Sequence, residues 1–277
     1  MTGSIHQSLV KDISYTAIDV PVLEDAIAFF SDMLELDLVT RDEEFAAFSV
    51  PSGQLLYVLN KNSHALNNTL VGYEVDNLEE GKKLLEENNI SFKDEIVTVD
   101  NISRLEFYDP DGYTHAFVNT GNKQPETAAV TNKTSLIDNI LWIGHEVQDI
   151  KVSTLFWDNI MGTGCKLRAS PDVPDFFGGG SEPQDQEPDE FSAFYLLPTK
   201  RQLELSKGLV EVKDYYEPIV GFGVAPDKFD DVKAVLRGRL YLTAIGGFGD
   251  LEWAFFFVPG GKLFEIYTLR GWGEYFR

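Results

Sequence analysis

The chain has 277 residues, of which 45 are acidic and 23 basic, giving a formal net charge of −22 at neutral pH. Hydrophobic residues make up 43% and charged residues 25%, which are globular proportions with room for one large domain or two ordinary ones. So acidic a surface repels phosphate backbones and anionic lipid, which argues against a nucleic-acid or membrane-surface role.

The single cysteine, Cys165, permits no intrachain disulfide and suits a reducing cytoplasm, where a free thiol packs as a small hydrophobe. Met1 to Lys11 lacks the basic stretch and apolar core of a signal peptide. No run of about eighteen apolar residues occurs. The expectation is a cytoplasmic protein without a membrane or nucleic-acid partner, as a monomer or homodimer.

In chain order, Ile13–Val20 is a mostly apolar strand. A helix follows, carrying the aromatic pair Phe29-Phe30 and then Leu34. Leu38–Thr40, Phe45–Val50 and Gln54–Leu59 are short strand-like runs, with a turn at Pro51-Ser52-Gly53. Val71–Val75 is a strand, and Leu78–Asn88 has helical spacing with Asp76 or Asn77 as its N-cap. Arg104–Tyr108 and Thr114–Val118 form a hairpin about Asp109-Pro110-Asp111-Gly112. Gly121 to Thr134 is a polar linker.

The chain then repeats itself. Ile140–Val147 matches Ile13–Val20, and Phe156-Trp157 matches Phe29-Phe30 at the same spacing, an offset of 127 residues. Val220–Val224 matches Val71–Val75, and Val258-Pro259-Gly260-Gly261 matches Asp109–Gly112, now at an offset of 149. The 22 extra residues are an insertion, read as the proline- and acid-rich loop 170–190, either a surface excursion or a lid tipped by Phe176 and Phe177. The expected organisation is a first module at 1–120, a linker at 121–134 and a second module at 135–277. The fold class is α+β: two tandem copies of a β-α-β-β-β plan, which each copy runs through twice. Their mixed sheets curl around a cleft, the default ligand site.

With that plan, the aromatic pair after the first strand and the Asp-Pro-Asp-Gly turn before the last, the chain resembles the vicinal-oxygen-chelate superfamily. That group contains glyoxalase I, extradiol ring-cleaving dioxygenases, fosfomycin-resistance proteins and bleomycin-binding proteins. The resemblance implies a metal held by side chains at recurring strand positions. Here those positions carry Tyr15 and Trp142, Leu70 and Ile219, and Ala116 and Glu265. A further acidic position of the glyoxalase pattern aligns with Tyr57 and Tyr195. Only Glu265 keeps a ligand-type side chain, and a divalent ion needs about three protein ligands. No metal or other cofactor is expected at the usual place, with a displaced divalent ion as the alternative.

Glu265, on an otherwise apolar strand, is the candidate catalytic residue: a base, a lone ligand or a hydrogen-bond acceptor, or else a remnant paired with Arg168 or Arg270. Tyr15, Tyr57, Trp142, Tyr195, Glu265 and Tyr267 are the candidate substrate-binding residues, the aromatics forming a stacking pocket or simply core. Trp253 belongs with these aromatics. His6 and His64 fall in loops, and His115 and His145 should point away from the cleft. Gly246–Gly249 reads as a turn and Thr199–Arg201 as a solvated basic tip. No phosphate-cradling loop or serine elbow is present. The readings are a metal-free binder of a small aromatic or cationic molecule, an enzyme of the lyase, isomerase or dioxygenase kind using Glu265, or an interaction module whose cleft is filled by its own aromatics.

Overall fold

The computed structural model describes residues 8–61, 69–93, 95–99, 102–121, 135–162, 166–167, 192–206, 218–239, 241–248 and 251–268. His6, His64, Cys165, Arg168, Arg270, the 170–190 insertion with Phe176 and Phe177, and the linker from 122 lie outside them.

Four β-α-β-β-β units follow one another. The first is β1 (Val10–Val20), α1 (Leu23–Ala28), β2 (Asp37–Arg41), β3 (Phe45–Ser49) and β4 (Leu55–Asn60). The second is β5 (Thr69–Val75), α2 (Leu78–Glu87), β6 (Val97–Val99), β7 (Ile102–Tyr108) and β8 (Thr114–Asn119). The third is β9 (Asn139–Glu146), α3 (Ile150–Met161), β10 (Lys166–Leu167), β11 (Ser192–Leu196) and β12 (Gln202–Ser206). The fourth is β13 (Ile219–Val224), α4 (Phe229–Gly238), β14 (Leu242–Phe248), β15 (Leu251–Phe257) and β16 (Leu263–Thr268). Gly246 to Phe248 therefore extend a strand where a turn was expected: Gly246 pairs with Trp253 in β15.

Units pair within a copy, giving two eight-stranded mixed sheets of identical order, β2-β3-β4-β1-β5-β8-β7-β6 and β10-β11-β12-β9-β13-β16-β15-β14. Local chemistry sets the ends of the elements. Asn77 caps α2 by accepting from the backbone N–H of Glu79 at 2.9 Å, and Asp149 caps α3 by accepting from Lys151 at 3.0 Å. Asp109 holds the β7–β8 turn by accepting from the N–H groups of Asp111 and Tyr113, while Gly112 takes the left-handed φ of +88°.

Each strand alternates its side chains between a helix-covered face and an inner face. The two helix-covered faces share one core. After Ala28 the chain widens into a π-turn at Phe29–Met33, and both rings of the aromatic pair become buried. Phe30 packs on Phe48 of β3 and on Phe264 of β16, and Phe29 on Phe256 of β15, so α1 is wedged between the sheets. α3 is the counterpart: Trp157 meets Tyr73 of β5 and His115 of β8. Gln54 stitches the copies with buried hydrogen bonds to the carbonyls of Ile13 and Ile140 and from the N–H of Ile140. Because the shared core lies on the helix-covered side, each copy keeps its own inner face among the described residues.

Candidate functional site

The inner face of the second sheet is built by β12, β9, β13 and β16, whose registers place Gln202, Trp142, Gly221 and Glu265 in one transverse row. Alternation brings Glu204, Gly144 and Tyr267 onto the same face. Glycine at 144 and 221 lets the large rings lie down on the sheet. A Cβ on Gly144 would stand 2.5 Å from the Trp142 indole, and one on Gly221 would stand 3.0 Å from both Trp142 and Tyr267. The two rings sit 6.2 Å apart at 61°.

Two carboxyls complete the face, both buried. The indole N–H of Trp142 donates to Glu204 Oε2 at 2.9 Å, and the Ser206 hydroxyl donates to Oε1 at 2.8 Å. The Tyr267 hydroxyl donates to Glu265 Oε2. Burial pushes Glu204 up to about 7, against the two hydrogen bonds that favour its charged form. Burial also pushes Glu265 up to about 8, opposed by the Tyr267 hydrogen bond and reinforced by the charge of Glu204. Glu265 Oε1 and Gln202 Oε1 are buried with no hydrogen-bond partner.

Of the residues singled out in the sequence, Trp142, Glu265 and Tyr267 meet on this face. Tyr15 and Tyr57 meet on the inner face of the first sheet, 5.4 Å apart, beside Leu55, Ala116 and Val118. Tyr195 does not join either group. It sits opposite Leu203 on the helix-covered face, where its hydroxyl donates to Asp158 at 2.8 Å and to the Thr154 carbonyl of α3. His115 and His145 do point away from the inner faces, and both are buried: they meet edge to face at 5.1 Å beside Trp157, and His115 Nε2 lies 3.2 Å from Asp109. Burial lowers His115, with Asp109 acting the other way. The basic tip is not simply solvated, since Arg201 and Thr199 both bind Asp12.

Glu204 is the functional candidate that sequence reading misses. Its register partner is Gly144, as Ala17 is the partner of Tyr57, so Glu204 and not Tyr195 is the counterpart of Tyr57. A usable signal was present. Pro51-Ser52-Gly53 and Pro198-Thr199-Lys200 are the same turn at an offset of 147, with positive φ at Gly53 and Lys200 alike. The alternation of Gln202, Glu204 and Ser206 with Leu203 and Leu205 would have shown the polar face.

No protein-family model and no curated protein matches the chain. Solved structures do. A Mn(II)-bound glyoxalase from Novosphingobium aromaticivorans superposes at a TM-score of 0.69 and 14% identity over 95% of this chain and 83% of its own. A halotolerant catechol dioxygenase, BphC, gives 0.67 and 14% over 94% and 87%. A catechol 2,3-dioxygenase gives 0.66 and 14% over 95% and 89%. The chain has the glyoxalase and extradiol-dioxygenase fold.

On that fold the resemblance to metal-using proteins can be tested residue by residue. The second sheet offers Trp142, Ile219, Glu204 and Glu265 where an ion would be held. Two are carboxyls, but the indole commits its N–H to Glu204 and the alkyl chain offers nothing. The first sheet offers Tyr15, Leu70, Tyr57 and Ala116, with Tyr15 lying across Gly72. Among the described residues no group of three or more His, Cys, Asp or Glu is placed to hold an ion. The described residues at these positions do not fit the coordination shell a divalent ion needs. No helix among the described residues is long and apolar enough to cross a membrane.

Proposed function

We propose that the chain binds a small molecule with an aromatic or cationic part on the inner face of its second sheet, without a metal ion. The observation that carries this reading is the linked set Ser206–Glu204–Trp142 and Tyr267–Glu265. Imidazole positions of the resembled family are filled by a ring and an alkyl group, while the carboxyls beside them are kept and hydrogen-bonded. Aromatic walls with a few convergent polar groups are the usual make-up of a ligand site. The test is twofold. Protein loaded with manganese, iron or zinc and then dialysed should retain well under one ion per chain. A ligand from an aromatic and cationic panel, at 100 times its dissociation constant, should add about 2.7 kcal/mol to stability in a thermal shift. A stoichiometric ion in contact with Glu265 would overturn the reading.

A second reading has its own observation. Burial holds the Glu265 carboxyl up to about 8, where it can give and take a proton near neutral pH. An enzyme of the lyase, isomerase or dioxygenase kind would use it as its general acid or base, next to the Tyr267 hydroxyl. In that case Glu265→Gln abolishes turnover while fold and binding survive; unchanged turnover removes it from the chemistry.

A further inference from the structure

The unmet hydrogen-bonding capacity of the second sheet's inner face has a single sign. Glu265 Oε1 and Gln202 Oε1 are the buried atoms without a partner in its central row, and both accept once the Glu265 carboxyl gives up its proton to solvent in a bound cation's field. Buried polar atoms in folded proteins nearly always find a partner, so an acceptor left over here calls for a donor that the described residues do not supply. Among the described residues the central strands supply no charged donor. No Lys or Arg occurs in β9, β12, β13, β15 or β16, and the one histidine there, His145, lies on the helix-covered face beside Trp157. Two carboxyls on this face sense each other's charge, and no described basic residue is paired with either. The Trp142 indole lies over Gly144 with the Tyr267 ring 6.2 Å away, so two aromatic rings border the acceptors, and a cation beside them would be favoured by their faces.

We propose that this face takes an organic cation, a substituted ammonium or guanidinium ion. Its N–H groups donate to Glu265 and Gln202, and its charge sits between the carboxyl pair and the Trp142 ring. The proposal rests on the reading of this face as a small-molecule site and names the class of ligand. A neutral aromatic compound satisfies the ring but leaves both acceptors empty and the carboxyls uncompensated. A cation with at least two N–H donors satisfies all of these at once.

The test is calorimetric titration of the whole chain with benzylguanidine, which is charged, and with benzyl alcohol, which has the same ring and no charge. Benzylguanidine should bind at least tenfold tighter. Glu265→Gln and Gln202→Leu should each weaken it at least tenfold while leaving benzyl alcohol unchanged, with thermal melts confirming that both variants fold. Equal or tighter binding of benzyl alcohol, or indifference of benzylguanidine to Glu265→Gln, overturns the cation proposal and leaves the small-molecule reading standing. If neither probe binds, both fall.

Discussion

The two inner faces occupy equivalent places in two sheets of the same strand order, yet their chemistry differs. In the first, Tyr15, Leu55, Ala116 and Val118 pack as an apolar cluster against Tyr57, and the buried carboxyl beside it, Glu106, is paired with Lys93 and Arg104. In the second, the matching positions are Trp142, Gln202, Glu265, Tyr267 and Glu204, a buried polar network on an aromatic floor. Backbone and topology are therefore not what makes a site here. The first face gives its buried carboxyl two basic partners. The second keeps two buried carboxyls with no basic partner among the described residues, which costs stability and is the usual mark of a place reserved for something else.

The comparison can be broken most forcefully by exchanging its key residue. Ala116→Glu places a carboxyl where Glu265 sits in the other sheet, but among Tyr15, Leu55 and Val118. Urea unfolding at pH 7 should show a loss of about 3 kcal/mol or more, because the new carboxyl is buried in register with Glu106, whose like charge makes it shed its own charge or lose its hydration at a cost. Little or no loss would mean the first face already has polar partners to offer. Next in size is Gly144→Val, whose side chain meets the Trp142 indole and should cost about 1–3 kcal/mol by overpacking. Gly72→Val should do the same to Tyr15, since both rings lie on glycine.

The opposite sign is expected for Glu265→Leu. Combined with Tyr267→Phe, so that no hydroxyl loses its carboxyl acceptor, it removes an unpartnered buried oxygen and the hydrogen bond together, and stability should rise by about 1 kcal/mol while ligand binding is lost. A smaller, pH-dependent effect sharpens the same point. The folded Glu265 carboxyl, at about 8, keeps a proton that the unfolded chain, near 4.5, has already released. Unfolding then releases a proton between those values. The contribution is full below about 4.5 and declines as pH rises toward 8, at up to about 1.4 kcal/mol per pH unit. Stability measured from pH 7 to 8.5 should fall, and Glu265→Gln should flatten the slope. This window avoids His115, whose lowered value acts in the opposite direction below the usual histidine range.

Much of this was legible in the sequence, for a physical reason. A strand's alternation is strict, so the offset of 127 between Val20 and Val147 fixed the facing of Tyr15, Trp142, His115 and His145 once the repeat was seen. Glu265 stood out because a carboxylate among Leu263, Phe264 and Ile266 is expensive. The site's other half was hidden by an insertion. Between Met161 and Pro198 the offset jumps from 127 to 147, and aligning Tyr57 with Tyr195 put the acidic position on the wrong strand and the wrong face. The helix contacts of α1 and α3 were also beyond reach, since wedging between sheets depends on packing that no local pattern encodes.

The site on the second sheet requires Glu265, with no ligand bound, to be held largely uncharged at neutral pH beside Glu204 and Tyr267. A carbon-13 NMR titration of labelled glutamate side chains, assigned by comparison with Glu265→Gln, reads this directly. Its carboxyl should titrate near 8 and move down in Glu204→Gln, where the neighbouring charge is gone. Titration between 4 and 5, unaffected by Glu204→Gln, would show an ordinary hydrated carboxylate and contradict the site described for the second sheet.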